Sequence, residues 1–268
     1  MAKTTAEKRA AFRRLHESGT FIIPNPWDAG SARLLAGMGF PALASTSSGY
    51  AWTRGRPDYA VALDDILAHL TELSAAVDVP INADFESGFA REPDGVASNV
   101  GRVIATGIAG FSIEDRDEAG GLCEKSLAVE RIAAAREAVR DSGEDVLLVA
   151  RTEGLFRDPT AIGPAIDRLV AFAEAGADVL YAPGVTNKAD IAAIVRAVAP
   201  KPVNVLVGHA APFTQADLAK LGVRRISVGG ALAGAAWGGF LRAARGLAEG
   251  RFDGFADNAT HAELNGLF

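Results

Sequence analysis

One cysteine, Cys123, stands in a chain of 268 residues. That excludes an internal disulfide and any zinc site built from several thiolates, and it agrees with a reducing, cytoplasmic setting. Positive charge is short: 27 Lys and Arg against 33 Asp and Glu give a formal net charge of −6. The basic residues are scattered, so no footprint for nucleic acid is expected and a small molecule is the expected partner. A long apolar run is missing too. The opening stretch MAKTTAEKRAAFRRLHESGT mixes both charge signs and reads as an amphipathic helix rather than a secretory leader. The apolar, glycine-rich region VGGALAGAAWGGFLRAARG is broken by Arg242, so no membrane span is expected and the protein reads as soluble. No Pro/Ser-rich linker divides the chain, which favours one domain over residues 1–268.

What is present is hydrophobic mass, 49% of the residues, enough to bury a large core without covalent staples. Eight short apolar runs recur, each followed by a helical pattern: FIIPN from Phe21, ALASTS from Ala42, PINADFE from Pro80, GFSIED from Gly110, LLVART from Leu147, VLYAPG from Val179, VNVLVG from Val203 and RISVGG from Arg225. Between them LDDILAHLTELSAAV, SLAVERIAAAREAVRDSG, PAIDRLVAFAEAG and NKADIAAIVRAVA carry apolar residues at spacings of three and four, and Gly143, Gly176 and Gly222 stand where helices would stop. Repeated βα units predict a (β/α)8 barrel. An open doubly wound sheet is the alternative, and the lack of a GxGxxG after the first run weakens its dinucleotide-binding form. In a barrel the loops at the carboxyl ends of the strands carry the active site.

That rim is where the unusual polar residues fall. The third run ends in Asp84 and Glu86, which alternation would point to one side, and the fourth ends in Glu114. Crowded carboxylates repel unless protonated or shared with a cation, and carboxylate oxygens with water are the ligands Mg²⁺ prefers. Pairing with arginines or capping of helices is the alternative use for them. Arg151, at the end of the fifth run, can clamp a carboxylate and stabilise a developing enolate, or pair with Glu114 or Glu153. Ser45, Thr46, Ser47, Ser48 and Gly49 form a small-residue loop whose amides and hydroxyls suit an anionic oxygen, although such segments are usually turns. All six lysines lie outside the strand ends, which removes the buried amine a Schiff-base aldolase needs. Of the four histidines only His209 is placed to approach the rim.

Taken in order, PNPWDAGSARLLAGMGF, ASTSSGYAWTRGRPD, NADFESGFA, GFSIED and ART resemble the isocitrate lyase and phosphoenolpyruvate mutase superfamily, from about Phe21 to the strand at Arg225. The resemblance implies a barrel holding Mg²⁺, or Mn²⁺ in its place, near Asp84, Glu86 and Glu114, partly through water, with a 2-oxo carboxylate or its enolate on the metal. It implies that Arg151 and Asp58, the latter within GRPD, stand near the substrate, and that the segment Ser45 to Gly49 holds its oxyanion or carboxylate. Two departures bear on activity. The K-K-C-G-H loop of the isocitrate and methylisocitrate lyases is replaced by RDEAGGLCEKS, so Cys123 is expected to be a structural thiol, and Ala182-Pro183-Gly184 stands where those lyases carry a glutamate. The lysine and asparagine pattern of the phosphonate-handling branch is also missing, Lys125 being its one candidate. The VNV strand with Asn204, counted as substrate-binding, looks like the 2-oxo-acid-handling branch.

The expected function is therefore a Mg²⁺-dependent lyase that cleaves or forms a C–C bond in a small 2-oxo or 2-hydroxy acid through an enolate, with Arg151, Asp58 and Glu114 as catalytic residues. Tyr50, Glu153 and His209 are the candidates for moving the proton. The rivals are C–P chemistry, as in phosphonopyruvate hydrolysis or phosphoenolpyruvate mutation, and a barrel that only binds. Family members exchange a C-terminal helix in tetramers, and the apolar residues Trp237, Phe240, Leu241 and Phe252 suit such docking, so a homo-oligomer, tetramer or dimer, is expected.

Overall fold

Each apolar run becomes a strand, because a parallel strand covered on both faces has to be apolar along its length. A computed structural model describes residues 2–268. The strands are β1 Phe21–Ile23, β2 Leu43–Ala44, β3 Ile81–Asp84, β4 Gly110–Glu114, β5 Leu147–Arg151, β6 Val179–Tyr181, β7 Val203–Leu206 and β8 Arg225–Ser227. Every pairing is parallel, in the order β1, β8, β7, β6, β5, β4, β3, β2. The remaining seam is closed by the Ala44 N–H donating to Pro24 O at 3.0 Å and by Asn25, whose amide donates to Ser45 O at 3.0 Å. Asn25 Oδ1 also accepts from the Val228 and Gly229 N–H groups at 2.9 Å, so one side chain ties β1 to both neighbours. The result is the expected (β/α)8 barrel.

The helices are α1 Thr5–Leu15, α2 Ala29–Gly37, α3 Ser47–Thr53, α4 Leu63–Ala76, α5 Pro93–Ile104, α6 Lys125–Ser142, α7 Gly154–Arg157, α8 Ile162–Glu174, α9 Lys188–Val198, α10 Gln215–Lys220, α11 Ala231–Ala248 and α12 His261–Gly266. Gly143 ends α6 at φ +70°, a conformation that side chains with a Cβ avoid. Among the described residues no helix is long and apolar enough to cross a membrane.

Strand alternation sorts the core. Outward residues such as Ile81, Phe111, Ile113, Leu148 and Leu180 pack with the helices into one cluster. Phe21, Ile23 and Leu147 turn inward and meet Phe12 of α1, which plugs the amino end. Gly110 exists to admit that plug, since a Cβ there would lie 2.7 Å from Phe12 Cε1. Phe12 is fully buried, so Phe12→Ala is expected to cost about 3–5 kcal/mol by urea unfolding. A polar knot also sits inside the barrel. Buried Arg225 donates to Asn204 Oδ1 at 2.9 Å and Asn82 Oδ1 at 3.2 Å, and Asn204 donates to Ser227 Oγ at 2.9 Å. Burial lowers the Arg225 pKa to about 10.

Candidate functional site

Four neighbouring strands end on the residues that matter: Asp84 on β3, Glu114 on β4, Arg151 on β5 and Tyr181 on β6. Glu114 and Arg151 are register partners, as are Arg151 and Tyr181. Arg151 occupies the middle. Its Nη1 lies 3.5 Å from Asp84 Oδ1 and its Nε 3.4 Å from Glu114 Oε2, and Nε also contacts Glu153 Oε1. The guanidinium carbon stands 5.2 Å from the centre of the Tyr181 ring. The second oxygen of Asp84 accepts from Ser47 twice, from N–H at 3.0 Å and from Oγ at 2.9 Å, while the Asp84 N–H donates to Ser45 Oγ at 2.8 Å.

The segment from Ser45 to Gly49 is therefore not the open loop expected of it. Thr46 caps α3, its Oγ1 accepting from the Gly49 N–H at 3.2 Å and meeting Ser48 Oγ at 3.1 Å. A hydroxyl able to take the N3 amide turns a Ser/Thr-rich turn into a helix start. Gly49 is held to glycine by packing, a Cβ there lying 2.6 Å from Thr46 Cγ2.

The acids are crowded and dry. Burial, then repulsion from Asp84 and Glu114, raises the Glu86 pKa to about 8. Burial likewise raises Glu114, against the pull of Arg151. Asp58 is raised by burial and by Asp84. Glu86 adopts φ +45°, a strained value for a residue with a Cβ, and its carbonyl accepts from the Glu114 N–H at 2.9 Å. Around this centre five carboxyl groups, Asp58, Asp84, Glu86, Glu114 and Glu153, stand with Arg151 and Arg116, while Arg131 borders the cleft beside Glu114. Among the described residues Glu114 Oε1 is buried without a hydrogen-bond partner. Excess carboxylate and an orphaned oxygen fit a divalent cation. Among the described residues no three acidic, histidine or cysteine side chains close on one point, because Arg151 stands between them. Water would have to complete any coordination.

Other sequence candidates lie elsewhere. Asn204 is buried in the barrel with its amide committed to Arg225 and Ser227. Tyr50 stacks on His69 at 3.8 Å and its hydroxyl approaches Asp65 O at 3.4 Å, against α4. His209 is exposed, as is Lys125 at the start of α6. Of the three proton candidates only Glu153 stands in the cluster. Sequence reasoning missed Tyr59, whose ring lies 3.7 Å under the Arg116 guanidinium, and Tyr181. The Arg116 within EDRD was the available signal. Burial raises both phenols, Tyr181 to about 12.

Comparison with known proteins agrees with the barrel fold. The family model described as phosphoenolpyruvate phosphomutase matches residues 12–248. A crystal structure from Burkholderia cenocepacia, described as a lyase/mutase, superposes with a TM-score of 0.93 at 45% identity, covering 97% of this chain and 96% of that one. An oxaloacetate acetylhydrolase solved with its product oxalate gives 0.86 at 28% identity, covering 98% and 93%. An uncharacterised protein of Mycobacterium tuberculosis is 31% identical over 242 residues, 90% of each chain. The chain belongs to the phosphoenolpyruvate phosphomutase family, within the isocitrate lyase and phosphoenolpyruvate mutase superfamily of lyases and mutases.

Proposed function

We propose that this protein is a Mg²⁺-dependent lyase that breaks or forms a C–C bond in a small 2-oxo or 2-hydroxy carboxylic acid. The observation that carries the reading is Arg151, shared among Asp84, Glu114 and Glu153 at the carboxyl rim beside the orphaned Glu114 oxygen. Asp84, Glu86 and Glu114 would hold the ion, partly through water. The ion would supply Lewis-acid stabilisation of the negative charge that develops when the C–C bond breaks.

The chain's own residues do the rest. Arg151 offers a guanidinium fork to the substrate carboxylate and neutralises charge on the enolate side. Ser45 and Ser47 hold Asp84 in place, so their role is to fix a ligand rather than to touch the substrate. Tyr59 and Tyr181 keep their protons at neutral pH, since both phenols are raised, and act as hydrogen-bond donors. Glu153, buried against Arg151, is the group left to accept or return a proton. Asp58, raised by burial and Asp84, shapes the acid cluster from the β2 side.

A reducing, cytoplasmic site of action suits the single free thiol. We also assign a homo-oligomer, dimer or tetramer, through the tail: Phe240 and Phe252 are 60% and 73% exposed on the isolated chain, a state that burial against a second copy would relieve.

A coupled assay for pyruvate and phosphate tests the reaction, run with and without Mg²⁺ on oxaloacetate, substituted malates, 4-hydroxy-2-oxo acids and phosphonopyruvate. Pyruvate released only with Mg²⁺ and without phosphate is the expected result. Both products from phosphonopyruvate would replace this reading with C–P chemistry.

A further inference from the structure

We propose that a cavity beside the acid cluster is a subsite for the distal carboxylate of the substrate, with Arg131 as its anchor. This rests on the 2-oxo-acid reading above and names the substrate class as a dicarboxylate. The cavity holds about 600 Å³ and lies between the β3–α5 loop, the β4–α6 loop and α6. Arg131, in the second turn of α6, lines it and is only 3% exposed.

Its guanidinium is the anomaly. Among the described residues Nε and Nη2 have no hydrogen-bond partner, and Nη1 reaches only Cys123 Sγ at 3.8 Å, a weak acceptor. A buried guanidinium without an anion is costly, and among the described residues no carboxylate pairs with it. Buried Asp115, which lines a narrow cleft together with Arg131, is already taken by Thr152 Oγ1 at 2.7 Å, the Glu153 N–H at 2.9 Å and Arg168 at 3.2 Å. Nε and Nη2 are closed off from solvent, so a carboxylate entering from the cavity would complete Arg131 as the guanidinium turns toward it.

The cavity's other walls agree with such a ligand. Phe89, Ala90, Leu122 and Leu127 give an apolar side for a carbon chain. Arg116 adds a second cation while standing over Tyr59, so it joins the cavity to the acid cluster. Arg131 also borders the narrow cleft that contains Glu114 and Arg151. The cavity's own acids do not cancel these cations: Asp117 accepts the Gly121 N–H within its loop, and Glu118 and Glu124 are exposed to solvent. A 2-oxo acid with its reacting end at Arg151 would bring its second carboxylate to Arg131, the guanidinium that lacks an anion.

The test compares two ligands that differ only in the distal group. 2-Oxoglutarate, 2-oxopentanoate and oxalate are titrated into the Mg²⁺-loaded protein by calorimetry, for the natural protein, Arg131→Gln and Ala90→Trp. The natural protein is expected to prefer 2-oxoglutarate over 2-oxopentanoate by about tenfold or more. Arg131→Gln should erase that preference, with oxalate, which has no distal arm, changed by less than about twofold. Ala90→Trp, which fills the cavity from a loop and leaves Arg131 in place, should weaken 2-oxoglutarate selectively. A natural protein without the preference, or a preference that survives both variants, would overturn the subsite. So would 2-oxoglutarate binding undiminished to oxalate-saturated protein, which would make the anion a separate effector. If only 2-oxoglutarate binds, and does so through Arg131, the subsite stands and the proposed reaction site falls; if none of the three binds, both fall.

Discussion

An Arg151→Lys enzyme is expected to lose about a thousandfold in kcat/KM, because a lysine cannot reproduce the fork that meets a planar carboxylate and stabilises charge in the transition state. Steady-state kinetics on the substrate identified in the panel gives the number. The stability change carries separate information, best read in Arg151→Met. Arg151 faces Glu114, Glu153 and Asp84, so its removal leaves carboxylates buried without a counter-charge. Glu114 is already raised by burial, with Arg151 the largest influence holding it down, and in the variant it rises further. The folded state then binds more protons than the unfolded one above the ordinary carboxylate range, so stability falls as pH rises. Thermal melts of metal-free Arg151→Met should show a larger deficit at pH 9.5 than at pH 5. An equal deficit at both values, with kcat/KM within tenfold of the natural protein, would remove Arg151 from the centre of the site.

The barrel was legible because its strands are continuous apolar runs, and all eight became strands. The runs overshoot: ALASTS yields only Leu43–Ala44, and PINADFE stops at Asp84. That second stop matters. Alternation placed Asp84 and Glu86 on one side, yet Glu86 lies beyond the strand at φ +45°, where the backbone no longer alternates. The carboxylates were found at strand ends, and the pairing of Arg151 with Glu114 or Glu153 was legible there too, whereas its reach to Asp84 is a product of how β3, β4 and β5 align. Arg131 left no such trace. An arginine in a helix normally faces water, and its burial follows from how α6 packs under the β4–α6 loop, a tertiary fact. Tyr59 and Arg116 meet across two loops for the same reason.

Glu114→Gln should make the metal-free protein more stable while making the enzyme worse. The ionised forms of Glu86 and Glu114 are disfavoured in the fold, both being raised to about 8. Below the unfolded value of 4.5 both states are protonated and nothing is lost; from there upward the native state holds its proton longer, so stability declines until about pH 8 and the full cost applies above it. A neutral amide at 114 escapes that cost and can use the orphaned position as a donor. In EDTA the variant should melt higher than the natural protein at pH 8.5, by roughly 2–6 °C, with little difference at pH 5. Adding Mg²⁺ should reverse the order, since an ion that binds only the folded state stabilises in proportion to its affinity, and the variant has lost a ligand. Activity should fall by about a hundredfold or more. Mg²⁺ that stabilises both proteins equally, with activity unchanged, would mean that the acid cluster serves Arg151 alone. The expected outcome would explain why a barrel keeps carboxylates where their charge destabilises it: a bound cation would release the repulsion they store, so the same groups that weaken the metal-free fold would strengthen its hold on the ion.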